Sequence, residues 1–120
     1  GGEKSRILFA LKSILAKKVN LPTLVFDEID SGTSGEVANT IGKIMRGMGK
    51  KIQIVAITHL PQVASLADHH FKVFRTETQS NLITNIEKLE ISDRIEEIAS
   101  MISGDNITES AISQAHELLK

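Results

Sequence analysis

The sequence predicts an α/β fold, with a parallel strand pair early, a β-hairpin later, and helices before, between and after them. Three patterns carry that expectation. Two short apolar runs at 23–26 and 52–57 flank one amphipathic stretch of helical period, the spacing of a βαβ unit. Runs at 70–76 and 82–89 are joined by a polar segment at 77–81, as the arms of a hairpin are. Two amphipathic segments of helical spacing then finish the chain.

Taken in order, residues 4–18 carry Ile7, Leu8, Leu11, Ile14 and Leu15 on one helical face. Asn20-Leu21-Pro22 stops that helix, because proline cannot continue it. The run at 23–26 is wholly apolar, as expected of a parallel strand covered on both faces, and Asp27 and Glu28 close it abruptly. Ser31, Gly32, Ser34 and Gly35 make a turn of small residues. Val37, Ala38, Ile41, Ile44, Met45 and Met48 then face inward on a helix that Gly47 and Gly49 end. The second apolar strand runs through Thr58-His59-Leu60-Pro61 into a short helix at 61–67. After the hairpin, Ile95, Ile98, Ala99 and Ile102 mark a helix that stops at Gly104. Ala111, Ile112, Ala115, Leu118 and Leu119 mark another that starts near Thr108. With no repeat, low-complexity tract or linker, residues 1–120 read as a single domain.

Composition narrows the function. Fourteen Lys+Arg stand against 15 Asp+Glu, and the four Phe are the only aromatics. A chain that grips nucleic acid unaided shows a basic surface or stacking aromatics, and this one has neither. There is no cysteine, so disulfides and thiolate zinc sites are excluded and a reducing cytosol fits. No apolar run approaches the roughly 20 residues of a membrane span, so no membrane partner is expected.

Four features carry chemistry. A buried strand ending in adjacent acids puts Asp27 and Glu28 at its carboxyl edge, where α/β sheets bind ligands. At a nucleotide site the first acid can hold Mg²⁺, usually through water, and the second can polarise the attacking water. An acidic strand end facing solvent is the plainer alternative. His59 directly follows the second apolar strand; if the strands are neighbours, it shares that edge. There it can meet a terminal phosphate or the water, though a histidine in an ordinary turn would look the same. Gly1-Gly2-Glu3 precedes a helix, where glycine amides and the helix dipole suit an anion. The same glycine pair also reads as a cloning remnant. The loop Asp30-Ser31-Gly32-Thr33-Ser34-Gly35 follows the acids and otherwise reads as a capped turn.

The order of these features resembles an ATP-binding cassette: signature remnant at 1–6, Walker B at 23–28, D-loop at 30–35 and H-loop at 58–60. Asp27-Glu28-Ile29-Asp30 resembles the SMC/Rad50-like branch. The run from Phe26 to Gly35, the run from Ile57 to Ala64 and the tail from Glu97 to Gly104 are similar to the RecN family of bacterial DNA-repair proteins. The resemblance covers nearly the whole chain, and Thr58-His59-Leu60-Pro61-Gln62-Val63-Ala64 is its most specific part.

The resemblance implies the C-terminal lobe of a P-loop NTPase head of ABC/SMC type, acting in recombinational repair of DNA double-strand breaks. It implies catalytic roles for Glu28 and His59, and Mg²⁺ held by Asp27. It also implies ATP contacts in trans from Gly1, Gly2 and Glu3, and D-loop contacts from Ser31, Gly32 and Ser34. The implied partners are an N-terminal Walker A lobe, a second head in a homodimer, and DNA reached through other parts of the parent protein. The implied location is the bacterial cytoplasm, at the nucleoid. Two departures stand out. Leu-Ser does not precede Gly1, and Ser34 stands where many D-loops carry aspartate. No Gly-x-x-x-x-Gly-Lys-Ser/Thr occurs, so nothing here cradles the α- and β-phosphates, and ATP hydrolysis by this segment alone is not expected. A docking lobe without turnover is the alternative from another class. Asp68-His69-His70 has metal-binding residue types, but its place between a helix and a strand favours a solvated turn.

Overall fold

The computed structural model describes residues 2–29, 32–33 and 35–120. The chain packs as two compact units, one ending at Leu66 and one spanning Ala67–Lys120. The first unit runs α1 (Gly2–Val19), β1 (Thr23–Asp27), α2 (Gly35–Met48), β2 (Gln53–Ile57) and α3 (Pro61–Ala64). The strands pair in parallel, with Thr23 opposite Gln53 and Asp27 opposite Ile57. This is the expected βαβ arrangement.

The core of this unit gathers on one face of the sheet. Leu24 and Phe26 of β1 are buried with Phe9 and Ala16 of α1, Ala38, Ile41 and Met45 of α2, and Val63 of α3. Phe9 meets Phe26 with ring centroids 5.1 Å apart and a tilt of 53°, the offset geometry aromatic quadrupoles favour. Lys12 adds a polar fastening, its Nζ donating to the Val25 carbonyl at 2.9 Å while lying 5.7 Å from the Phe26 ring centroid. On the same buried side of α2, Gly42 lets α3 come close. A Cβ there would sit 2.8 Å from Leu66 Cδ1 and 3.5 Å from Val63 Cα.

Three sequence expectations fail in this unit. The apolar stripe Ile7, Leu8, Leu11, Ile14 and Leu15 is not the buried face of α1; these side chains are 47–57 % exposed. The helix instead turns Phe9 and Ala16 inward, because the Phe9–Phe26 contact and the Lys12 bond fix its rotation. The apolar run within β1 is likewise covered on one face only: Val25 alternates outward, and Val55 and Ile57 join it. Ile44 also points outward from α2.

The second unit contains β3 (Phe71–Glu77), β4 (Leu82–Lys88), α4 (Ile91–Ser103) and α5 (Glu109–Leu119). The two strands form the expected antiparallel hairpin, with Phe71 opposite Lys88 and Glu77 opposite Leu82. Thr78 closes its turn, its N–H and hydroxyl both donating to the Asn81 carbonyl at 2.9 Å. Helix α4 buries Ile98 and Ala99 and ends at Gly104, whose φ of 77° needs a residue without a side chain. Helix α5 is capped by Thr108, whose hydroxyl accepts from the Ala111 N–H at 3.1 Å, and buries Ala111 and Ala115.

Candidate functional site

The parallel register decides what meets at the carboxyl edge of the β1–β2 pair. Asp27 is the last residue of β1 and lies opposite Ile57, the last residue of β2. The ladder continues one step further, the Glu28 N–H donating to the Ile57 carbonyl at 2.9 Å. Asp27 and Glu28 therefore leave the sheet at the same edge as the His59 turn. All three side chains are exposed, and among the described residues no hydrogen bond or ion pair engages the two carboxylates or the imidazole.

Glu28 has a feature its sequence did not signal. Its φ is +49°, in the left-handed region that residues with a Cβ seldom adopt. Strain of this kind collects at functional sites. Here it turns the chain sharply out of β1, so two adjacent acids do not continue the strand's alternation. No residue pattern marks this in advance, because glutamate has no affinity for that conformation. Across the edge, the Thr58 hydroxyl accepts from the Leu60 N–H at 3.0 Å and shapes the turn carrying His59. Pro61 then starts α3, where its missing N–H is no loss.

A third segment reaches the loop that follows the acids. Helix α1 runs back along β1, with Lys12 at Val25, Phe9 at Phe26 and its Gly2 packed against Gly32. A Cβ on Gly2 would stand 2.9 Å from the Gly32 carbonyl oxygen, too close for any side chain, and Gly32 itself has a φ of +72°. The structure thus brings together two glycines singled out from separate motifs. Glu3 is exposed in the first turn of α1. Gly1, Asp30, Ser31 and Ser34 lie outside the described residues.

Asp68, His69 and His70 belong to the second unit. Asp68 and His69 are exposed, whereas His70 is half-buried, with Nδ1 enclosed and accepting no hydrogen bond among the described residues. Burial foremost, then Arg94 and Lys72, lower its pKa below that of an ordinary histidine, and Glu97 opposes them. Lys72 and Glu97 form an ion pair beside it. Among the described residues no group of three His, Cys, Asp or Glu is arranged to hold a metal ion. No described helix is long and apolar enough to cross a membrane.

The chain is similar to DNA repair protein RecN from several bacteria. It is 43 % identical to the Rickettsia conorii protein over 119 residues, covering 99 % of this chain and 22 % of that one. Identity to the Vibrio cholerae RecN is 42 % with the same coverage. For the Halalkalibacterium halodurans RecN it is 40 %, covering 99 % of this chain and 21 % of the relative. The chain thus spans about a fifth of the length of these relatives and matches their C-terminal part. No family model matches it. Among solved structures, it is similar in fold to a chain from work on ATP-driven dimerization and DNA-stimulated activation of SMC ATPases. The TM-score is 0.68 at 17 % identity, covering 88 % of this chain and 63 % of the other. The expected likeness to RecN and the mixed α/β fold of an SMC-type head are both borne out.

Proposed function

We propose, from the premise that this chain is similar over 99 % of its length to the C-terminal part of RecN, that it is the C-terminal half of an SMC-like ATPase head in a bacterial DNA-repair protein. In this reading residues 1–120 form one ABC-type half-head, which supplies Walker B (23–28), D-loop (30–35) and H-loop (58–60) to an ATP site. An N-terminal Walker A lobe completes that site, and a second head closes over it. Other parts of the protein reach the DNA, and the whole works in the bacterial cytoplasm, at the nucleoid.

The observation that carries this reading is the shared carboxyl edge of Asp27, Glu28 and His59. A single exposed carboxylate at a strand end is the hard oxygen donor that Mg²⁺ accepts alongside phosphates and water, so the residues present fit that ion. Bound Mg²⁺ would neutralise charge on the phosphate oxygens. Asp27 would hold it, usually through water. Glu28, turned away from the strand direction, would orient the attacking water and take its proton. His59 would approach from the neighbouring strand end and donate to the terminal phosphate or fix the water. Gly1, Gly2 and Glu3 would read the phosphate held by the opposite head through the amino end of α1. Ser31, Gly32 and Ser34 would line the contact between heads. A docking lobe without turnover finds support in the exposed face of α1, yet such a lobe has no use for Glu28 and His59 at one edge.

Substitution in the intact protein separates the two acids. Glu28→Gln keeps size and hydrogen bonding but removes the base. ATP should still bind and close the heads, hydrolysis should fall about 100-fold or more, and closed dimers should accumulate. Asp27→Asn should weaken Mg²⁺-dependent ATP binding itself, so that no trapped dimer forms. Hydrolysis near the wild-type rate by Glu28→Gln would eliminate this mechanism.

A further inference from the structure

Gln62 holds a buried side-chain oxygen that no described donor satisfies. It lies on α3, three residues beyond His59, and its carbonyl oxygen accepts from the Ser65 hydroxyl at 3.3 Å. The Gln62 carbonyl oxygen and Val63 Cα lie 3.4 and 3.5 Å from where a Cβ on Gly42 would stand. From that anchor the side chain reaches the first residue of α2, its Nε2 lying 3.4 Å from the corresponding position on Gly35. Its Oε1 is enclosed and accepts no hydrogen bond among the described residues. A buried acceptor without a donor destabilises a fold, and a methionine would fill similar volume without stranding an oxygen. Stability alone therefore gives no reason for an amide here.

The location suggests another reason. Gly35 is where the loop that follows Asp27 and Glu28 re-enters regular structure. Gln62 thus stands between the segment carrying His59 and the exit of the loop next to the acids. We infer that Gln62 is a positioning residue, whose side-chain amide sets that loop exit against the His59 turn and so aligns the two strand ends for catalysis. It acts through these segments and need not touch nucleotide. The inference rests on the reading of Asp27, Glu28 and His59 as a hydrolytic edge.

The test is Gln62→Met in the intact protein, followed by thermal unfolding and steady-state ATP hydrolysis. The thermal midpoint should hold or rise, because the stranded oxygen is gone. The kcat should fall about tenfold, less than the roughly 100-fold that a full 1 Å misplacement can bring, while KM for ATP changes less than about twofold. Gln62→Asn keeps the amide but withdraws it by one methylene, and should give the same split between kcat and KM. It also serves if the methionine variant does not fold. Wild-type kcat in the folded variants overturns the inference. So does a fall in midpoint that parallels the fall in kcat, since that marks a merely structural residue. Glu28→Gln run alongside keeps the two claims apart. If it hydrolyses ATP normally, the hydrolytic reading fails. If it is inactive while both Gln62 variants turn over at the wild-type rate, only the role of Gln62 fails.

Discussion

Gly2 and Gly32 show how much a single hydrogen in place of a methyl can decide. The amino end of α1 approaches the loop after β1 so closely that a Cβ on Gly2 would meet the Gly32 carbonyl oxygen at 2.9 Å. Backbone cannot swing aside as the end of a flexible side chain can. Gly2→Ala should therefore destabilise the first unit by about 1–3 kcal/mol, the usual cost of forcing extra volume into a packed contact. Gly47 is the control. It lies within α2, and nothing stands within 4 Å of its Cβ position. Gly47→Ala should stabilise by roughly 0.5–1 kcal/mol through lower chain entropy and better helix propensity. Urea midpoints of the two variants should move in opposite directions. Movement in the same direction would mean that the Gly2–Gly32 approach does not constrain the fold.

At the level of elements, strand pairing was legible and helix rotation was not. Apolar runs bounded by turn residues located the four strands of the described residues, and the parallel pair followed from their spacing. From that pair alone, Asp27, Glu28 and His59 could be brought to one edge. Hydrophobic periodicity misled for α1, because a helix whose apolar residues cover more than one side can bury any of them. The Phe9–Phe26 contact and Lys12, both tertiary, made the choice. The left-handed backbone at Glu28 and the enclosed amide of Gln62 leave no sequence trace for the same reason. In the second unit the element-scale prediction concerns the start of β3. Burial first, then Arg94 and Lys72, against the pull of Glu97, lower the pKa of folded His70 below the ordinary 6.5. An unfolded histidine takes up its proton as pH falls through about 6.5, and the folded one resists. Stability should thus be fully present above about pH 6.5 and decline as pH falls from there towards the folded pKa. Urea midpoints at pH 7.5 and 5.5 should differ in wild type and differ less in His70→Gln. An unchanged difference would assign the acid sensitivity elsewhere.

On the scale of the whole chain, exposed apolar surface matters most. Six side chains of α1, Ile7, Leu8, Leu11, Ile14, Leu15 and Val19, are 47–61 % exposed, and Val25, Val55 and Ile57 leave one face of the sheet open. Exposed apolar side chains in these numbers mark a place where other protein belongs, and an open parallel pair also offers unpaired strand edges. The chain covers only 22 % of its Rickettsia conorii relative, so there is ample further polypeptide in such a protein to cover both. The isolated 120-residue chain should therefore self-associate as its concentration rises, driven by roughly 25 cal/mol for each Å² of apolar surface removed from water. It should also show no saturable ATP turnover, because no phosphate-cradling Gly-x-x-x-x-Gly-Lys-Ser/Thr segment is present. Sedimentation velocity over a hundredfold range of concentration reads the first property. Leu11→Lys with Leu15→Lys, both on the exposed face and clear of the Phe9–Ala16 side, should return the chain towards monomer without unfolding it. A wild-type chain that sediments as a monomer throughout, and binds no dye specific for exposed apolar surface, would show that these faces need no partner. Saturable hydrolysis by the chain alone, lost in Glu28→Gln and so not a contaminant, would show that half a head suffices for turnover.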